Sequence, residues 1–114
     1  MGKNDVALSA SSMSFLVLKA LSAGASHGYA IARWIERVTD DALSLEEGSL
    51  YPALHRLEQR GFLESRWGTS ENNRRAKFYR LTRAGRKRLA SEQESWLGFA
   101  EAMAKVASAD TMRG

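Results

Sequence analysis

The apolar residues of this chain change period at Gly61. Before it they recur every three or four residues, as on helices. From Phe62 to Leu81 they alternate, as on strands, and after Thr82 the helical spacing returns. That order restricts the fold to a mainly α domain with a small β-hairpin near its end. The first helical stretch, Ser11 to Ala23, carries Phe15, Leu16, Val17, Leu18 and Leu21 on several sides, so it needs more than one packing partner. The second runs from about Tyr29 to Thr39, with Ile31, Trp34, Ile35 and Val38 on one expected buried face. Asp40 to Leu45 is a connector, in which Ala-Leu-Ser-Leu could form a short strand.

The third helix spans roughly Glu46 to Arg60. Leu50, Leu54 and Leu57 form its inward stripe, leaving Ser49, Tyr51, Pro52, His55, Arg56 and Gln59 outward. Two starts are open. Ser44 with Glu47 resembles a capping box and would leave Pro52 inside the helix; Ser49 as N-cap would place Pro52 in the first turn. Gly61 suits the position just past the helix end. Phe62 to Trp67 and Ala76 to Leu81 then form the hairpin, with a polar tip at 68–75. Thr82 caps a last helix of roughly 27 residues, about 40 Å long. Leu89, Trp96 and Met103 recur along it, with Phe99, Ala100, Val106 and Ala107 between. Beyond Trp96 this stripe lacks intramolecular cover, so the chain is expected to pair with a second copy through this helix and the first. The competing arrangement folds the helix back on its own domain and needs a break, for which Gly98 is the candidate.

Helix, helix, helix, hairpin, helix is the order of a winged helix-turn-helix. Such a domain places its third helix in the DNA major groove and its hairpin wing on the backbone or minor groove. The expected division is a flexible arm at 1–10, a DNA-binding winged-helix domain at 11–82 with its wing at about 62–82, and a dimerisation helix and tail at 83–114.

The charge map agrees. The 114 residues total +4, from 17 Lys+Arg against 13 Asp+Glu. Residues 69–88 hold eight basic side chains and the single acid Glu71, a net +7, which leaves the rest of the chain at −3. A basic strip with Phe78 and Tyr79 interleaved suits a phosphate backbone. The absence of cysteine rules out a disulfide scaffold and thiol chemistry. No apolar run is long enough for a membrane span or a signal peptide, so a cytoplasmic location is expected. His27 and His55 lie far apart with no metal-binding spacing, and the acid pairs Asp40-Asp41 and Glu46-Glu47 are adjacent and do not face each other. Gly24-x-x-x-Gly28 lacks the Lys-Ser/Thr of a phosphate loop. Catalysis, a metal and a cofactor are therefore not expected.

Particular strings carry a family resemblance. His27-Gly-Tyr29, the run Leu43-Ser-Leu-Glu-Glu-Gly-Ser-Leu-Tyr-Pro-Ala-Leu-His-Arg-Leu-Glu58, Gly61-Phe-Leu-Glu64, Trp67-Gly68 and Tyr79-Arg-Leu-Thr-Arg-Ala-Gly85 together resemble the PadR family of bacterial transcriptional regulators. The likeness spans about residues 14–105, and the single C-terminal helix resembles the small members. It implies a homodimeric, repressor-type protein on double-stranded DNA, often released from its operator by a small aromatic or cationic compound. Carried over position by position, Ser49, Tyr51, Pro52 and His55 become candidates for base or phosphate contact. At the wing, Asn73, Arg74, Arg75 and Lys77 are candidates for phosphate or minor-groove contact. Arg86, Lys87 and Arg88 either join them or form a solvated face. Trp96, Phe99 and Ala100 are candidates to line an effector site at the dimer centre, with plain interface packing as the alternative. Other functional readings are a winged-helix module binding an acidic protein partner, a DNA-binding protein without an effector, and a winged helix of the MarR type, which belongs to larger chains.

Overall fold

The structure, a computed structural model, describes residues 9–112. Its elements are α1 (Ala10–Ala20), β1 (Ser26–His27), α2 (Gly28–Val38), α3 (Glu47–Gln59), β2 (Leu63–Thr69), β3 (Arg75–Leu81) and α4 (Arg83–Ser108). The three strands make one antiparallel sheet in the order β1-β3-β2. This is the winged-helix arrangement. The core lies where α1, α2 and α3 meet the base of the wing. Val17, Leu18, Leu21, Ile31, Ile35, Leu50, Ala53 and Leu54 are almost wholly buried there, and Leu63, Tyr79 and Leu81 close it from the sheet.

Most of the expected flexible arm at 1–10 lies outside the described residues. Ala10 is the first residue of α1 and Ser9 its N-cap, since the Ser9 hydroxyl accepts the Ser12 N–H. Of the tail, residues 113–114 lie outside the description as well.

The connector corrects two expectations. Residues 42–45 form no strand. Asp40 and Asp41 adopt left-handed backbone angles, φ 51° and 65°. Local acceptors take the connector's N–H groups: the Glu36 carbonyl for Asp41, the Thr39 hydroxyl for Leu43 and the Glu36 carboxylate for Leu45. With those donors met, no strand partner is required. The third strand is Ser26–His27, which pairs with Tyr79 and Phe78 of β3. Nor is Ser44 the residue that precedes α3: that place is held by Glu46, whose side chain makes no capping hydrogen bond. The helix therefore starts at Glu47, with Pro52 inside it. The carbonyl that loses its helical partner to Pro52 is that of Gly48, an exposed residue. Val38 was expected on the buried face of α2 but is more than half exposed, because the chain turns off the core at Thr39.

The C-terminal end of α3 behaves as its glycine suggested. Gly61 has φ 84°, its N–H donates to the Glu58 carbonyl, and the Phe62 N–H donates to Leu57. The turn delivers the chain into β2 beside the start of α4. Thr82 ties the two together: its N–H donates to the Phe62 carbonyl, its hydroxyl donates to the Gly61 carbonyl, and the same oxygen accepts the Gly85 N–H. A Cβ on Gly85 would stand 2.0 Å from the Phe62 carbonyl oxygen.

From that junction α4 runs unbroken through Gly98 for 26 residues. Its Leu97, Phe99, Met103 and Val106 are between 52% and 73% exposed. Among the described residues nothing covers the stripe beyond Trp96.

Candidate nucleic-acid interface

The inward leucines of α3 turn its other face outward, so Ser49, Tyr51, Pro52 and His55 are all exposed. Tyr51 is less free than its neighbours. Its ring rests on Gly28 at the start of α2, where a Cβ would come within 2.7 Å of the hydroxyl oxygen. A larger residue at position 28 would push that ring off its seat. Burial, followed by the nearby Glu47 carboxylate, holds the Tyr51 hydroxyl above its ordinary pKa, so it remains a hydrogen-bond donor. Tyr79, buried beneath, is shifted the same way by burial, then by Glu58 and Tyr51.

The wing supplies the opposite wall. Its strands pair from Leu63↔Leu81 to Thr69↔Arg75, so the tip is shorter than the expected 68–75 stretch. The turn is closed by the Ser70 N–H donating to the Arg74 carbonyl and the Asn73 N–H donating to Ser70. Asn73 takes φ 60°, a left-handed conformation that asparagine tolerates better than most residues. The Arg75 guanidinium lies 4.6 Å over the Trp67 ring, which holds the cation at the groove wall. Lys77 sits 3.7 Å from a Glu58 carboxylate oxygen, so part of its charge is already answered.

Between these walls lies a groove of about 720 Å³. Tyr51 and Glu47 line it from α3, His27, Gly28 and Tyr29 from the start of α2, and Trp67, Ser70, Asn72, Arg74, Arg75 and Lys77 from the wing. Of the eight candidates, the fold brings Tyr51, Arg74, Arg75 and Lys77 together here. Ser49, Pro52 and His55 stand on the exposed face of α3 outside the groove, and Asn73 is exposed at the wing tip. His27, Tyr29, Trp67 and Asn72 were not among the candidates. The alternation of β2 and β3 could have found Trp67, since it pairs directly with Lys77. Of the basic trio opening α4, Arg88 is paired with Glu92 at 2.7 Å, while Arg86 and Lys87 are exposed.

The profile of the transcriptional regulator PadR-like family matches residues 17–91. The chain belongs to the PadR-like family. Solved structures agree. A transcriptional regulator from Clostridium thermocellum is 33% identical, with a TM-score of 0.71 over 81% of this chain and 89% of that one. A PadR family transcription regulator from Clostridium difficile is 26% identical, with a TM-score of 0.70 over 84% and 98%. A PadR-like regulator from Bacillus cereus, 20% identical, shares the fold with a TM-score of 0.72 over 86% and 93%. This PadR-like protein is thus a winged-helix, DNA-binding transcription regulator and not an enzyme. Among its described residues no helix is long and apolar enough to cross a membrane. Nor do three or more His, Asp or Glu residues there cluster as a metal site would need.

The regulator has a second feature, on α4. Trp96 is half-buried, stacked on Phe15 of α1 with ring centroids 6.2 Å apart and edge-on to Phe99 at 5.8 Å. A shallow hollow of about 380 Å³ beside it is lined by Ser9, Ser11, Ser12, Ser95, Trp96 and Phe99. Ala100 is exposed and does not line that hollow.

Proposed function

We propose that this regulator acts as a homodimeric repressor on an inverted-repeat operator and is released by a small aromatic or hydrophobic effector. Residues 11–82 would form the DNA-binding unit and 83–114 the dimerisation helix and tail. The observation that carries the DNA contact is the groove itself, which sets Tyr51 of α3 against a wing bearing Arg74, Arg75 and Lys77. Ser49, Tyr51, Pro52 and His55 would enter the major groove, and Asn73, Arg74, Arg75 and Lys77 would meet the backbone or the minor groove. Two-fold symmetry would separate the half-sites by about one helical turn. The exposed apolar face of α4 supports the dimer.

Binding to duplex DNA should fall steeply with salt. A dimer contacting about 8 phosphates gives a log–log slope near −7. Arg74→Ala with Arg75→Ala should lower affinity for all sequences alike, whereas Tyr51→Ala or His55→Ala should also alter the preference among sites. The readout is selection of bound duplexes from a random pool, followed by titrations at several salt concentrations. A flat salt response would favour a protein-binding winged helix instead.

The hollow beside Trp96 supports the effector reading, with Trp96 and Phe99 on its wall and Ala100 one position further along α4. Titration with planar aromatic cations should quench tryptophan fluorescence saturably in the wild type and weakly in Trp96→Phe. Equal quenching in both would remove Trp96, Phe99 and Ala100 as an effector site.

A further inference from the structure

His27 is held from two sides by the fold. Its Nδ1 accepts the Ala30 N–H at 3.3 Å and so caps α2, while Phe78 meets the ring edge-on with centroids 5.2 Å apart. The cap assigns the ring proton to Nε2. The side chain is 13% exposed, and that Nε2 is buried with no hydrogen-bond partner among the described residues. A buried donor without an acceptor is unfavourable and uncommon. The group in front of it is the Glu71 carboxylate, 3.7 Å away, too far for a hydrogen bond. Glu71 is the only acid on the basic stretch 69–88, and its own side chain is 85% exposed at the wing tip.

His27 thus lines a groove whose other wall carries Arg74 and Arg75, while its buried, unanswered Nε2 donor has a Glu71 carboxylate oxygen 3.7 Å away. We infer that the Nε2–H of His27 is a contact for a DNA phosphodiester, and that Glu71 occupies the place of that phosphate while the protein is free. This rests on the reading of the groove as the DNA-binding face. A phosphate oxygen at about 2.9 Å satisfies the donor that Glu71 does not reach. The amino end of α2 adds its partial positive charge, and Arg74 and Arg75 draw the anion in. Glu71 swings into solvent at little cost, because it makes no close bond to break. His27 is therefore a positioning contact to the DNA backbone, blind to sequence.

The test uses the full chain with two duplexes, one selected from a random pool and one unrelated. His27→Asn keeps an acceptor that can cap α2 but removes the Nε2–H. It should weaken binding to both duplexes roughly tenfold, as expected for a lost bond to a charged partner. The salt slope should not change, since a neutral donor releases no counterion. Glu71→Gln should tighten binding in the wild type and do so distinctly less in the His27→Asn background. A cap failure in His27→Asn cannot hide the answer, because the imidazole Nε2–H resonance of the wild-type protein should shift when duplex is added. Wild-type affinity in His27→Asn, equal Glu71→Gln gains in both backgrounds, or an unmoved resonance each overturns the inference. In those cases salt-dependent binding by the wild type leaves the DNA reading standing. Absence of duplex binding by the wild type itself overturns both.

Discussion

Replacing Gly85 with Ala should lower the melting temperature by about 4–16 °C. Two effects oppose each other at this position. Alanine favours a helix over glycine by about 1 kcal/mol, and Gly85 lies in the first turn of α4. Against that, the new Cβ would stand 2.0 Å from the Phe62 carbonyl oxygen. That atom is backbone. It already accepts the Thr82 N–H and sits at the end of the turn through Gly61, so it has little freedom to withdraw. Overpacking of this kind costs about 2–3 kcal/mol, and at roughly 4–8 °C per kcal/mol the clash outweighs the propensity gain. The wing base and the start of α4 would separate, and the direction of the long helix would change with them. Gly48→Ala supplies the contrast, since nothing lies within 4 Å of a Cβ there, and its stability should not fall. Thermal unfolding by circular dichroism at fixed protein concentration decides the matter. An unchanged transition in Gly85→Ala would show that the junction is not tight.

In the proposed homodimer, Met103→Glu combined with Val106→Glu should break the pairing and reduce affinity for duplex DNA by at least about 100-fold. Trp96, Phe99, Met103 and Val106 follow one another at helical spacing along α4, and the last three are largely exposed within the chain. Their apolar area contributes little to a single folded chain, so the winged-helix domain should keep its structure in the variant. In the proposed dimer the same side chains would face a second copy, where buried unpaired carboxylates are strongly unfavourable. Losing the pairing also removes the linkage between two half-site contacts, which typically accounts for 10²–10⁴ in avidity. Sedimentation of both proteins, with circular dichroism to verify the fold, reads the outcome. A variant that stays dimeric would rule out this face of α4 as the interface.

Much of the fold was legible because the signals that encode it are short-range. Leu50, Leu54 and Leu57 declare the buried face of α3 by spacing alone, and the structure buries all three. Gly61 ends α3 and Thr82 caps α4 through bonds to residues three positions away, so those two roles could be read locally, whereas the bonds from Thr82 to Gly61 and Phe62 span some twenty residues and could not. The wing was visible in the alternation of β2 and β3. The connector was not. Its alternating Ala-Leu-Ser-Leu satisfies the same pattern as a strand, and only the left-handed turn at Asp40 and Asp41 removes it from the sheet. The true third strand, Ser26–His27, has two residues and therefore no period to detect.

The candidate site divides along the same line. Arg74, Arg75 and Lys77 stood out because charge accumulates along the chain and needs no partner to be recognised. Tyr51 was named as an outward residue of α3, but its seat on Gly28 joins two helices. His27 resembled an ordinary histidine in a loop, and the nearness of Glu71 appears only once the hairpin folds back on α2. The sequence by itself thus determined the kind and order of the four helices and the hairpin, the basic wing and the apolar stripe of α4. These follow from periodicity, capping and charge, which act within a few residues. Tertiary structure alone decided the partner of the third strand, the start of α3 and the cluster of His27, Tyr51 and Trp67 in one groove. Those depend on steric fit between distant segments, which local pattern does not encode.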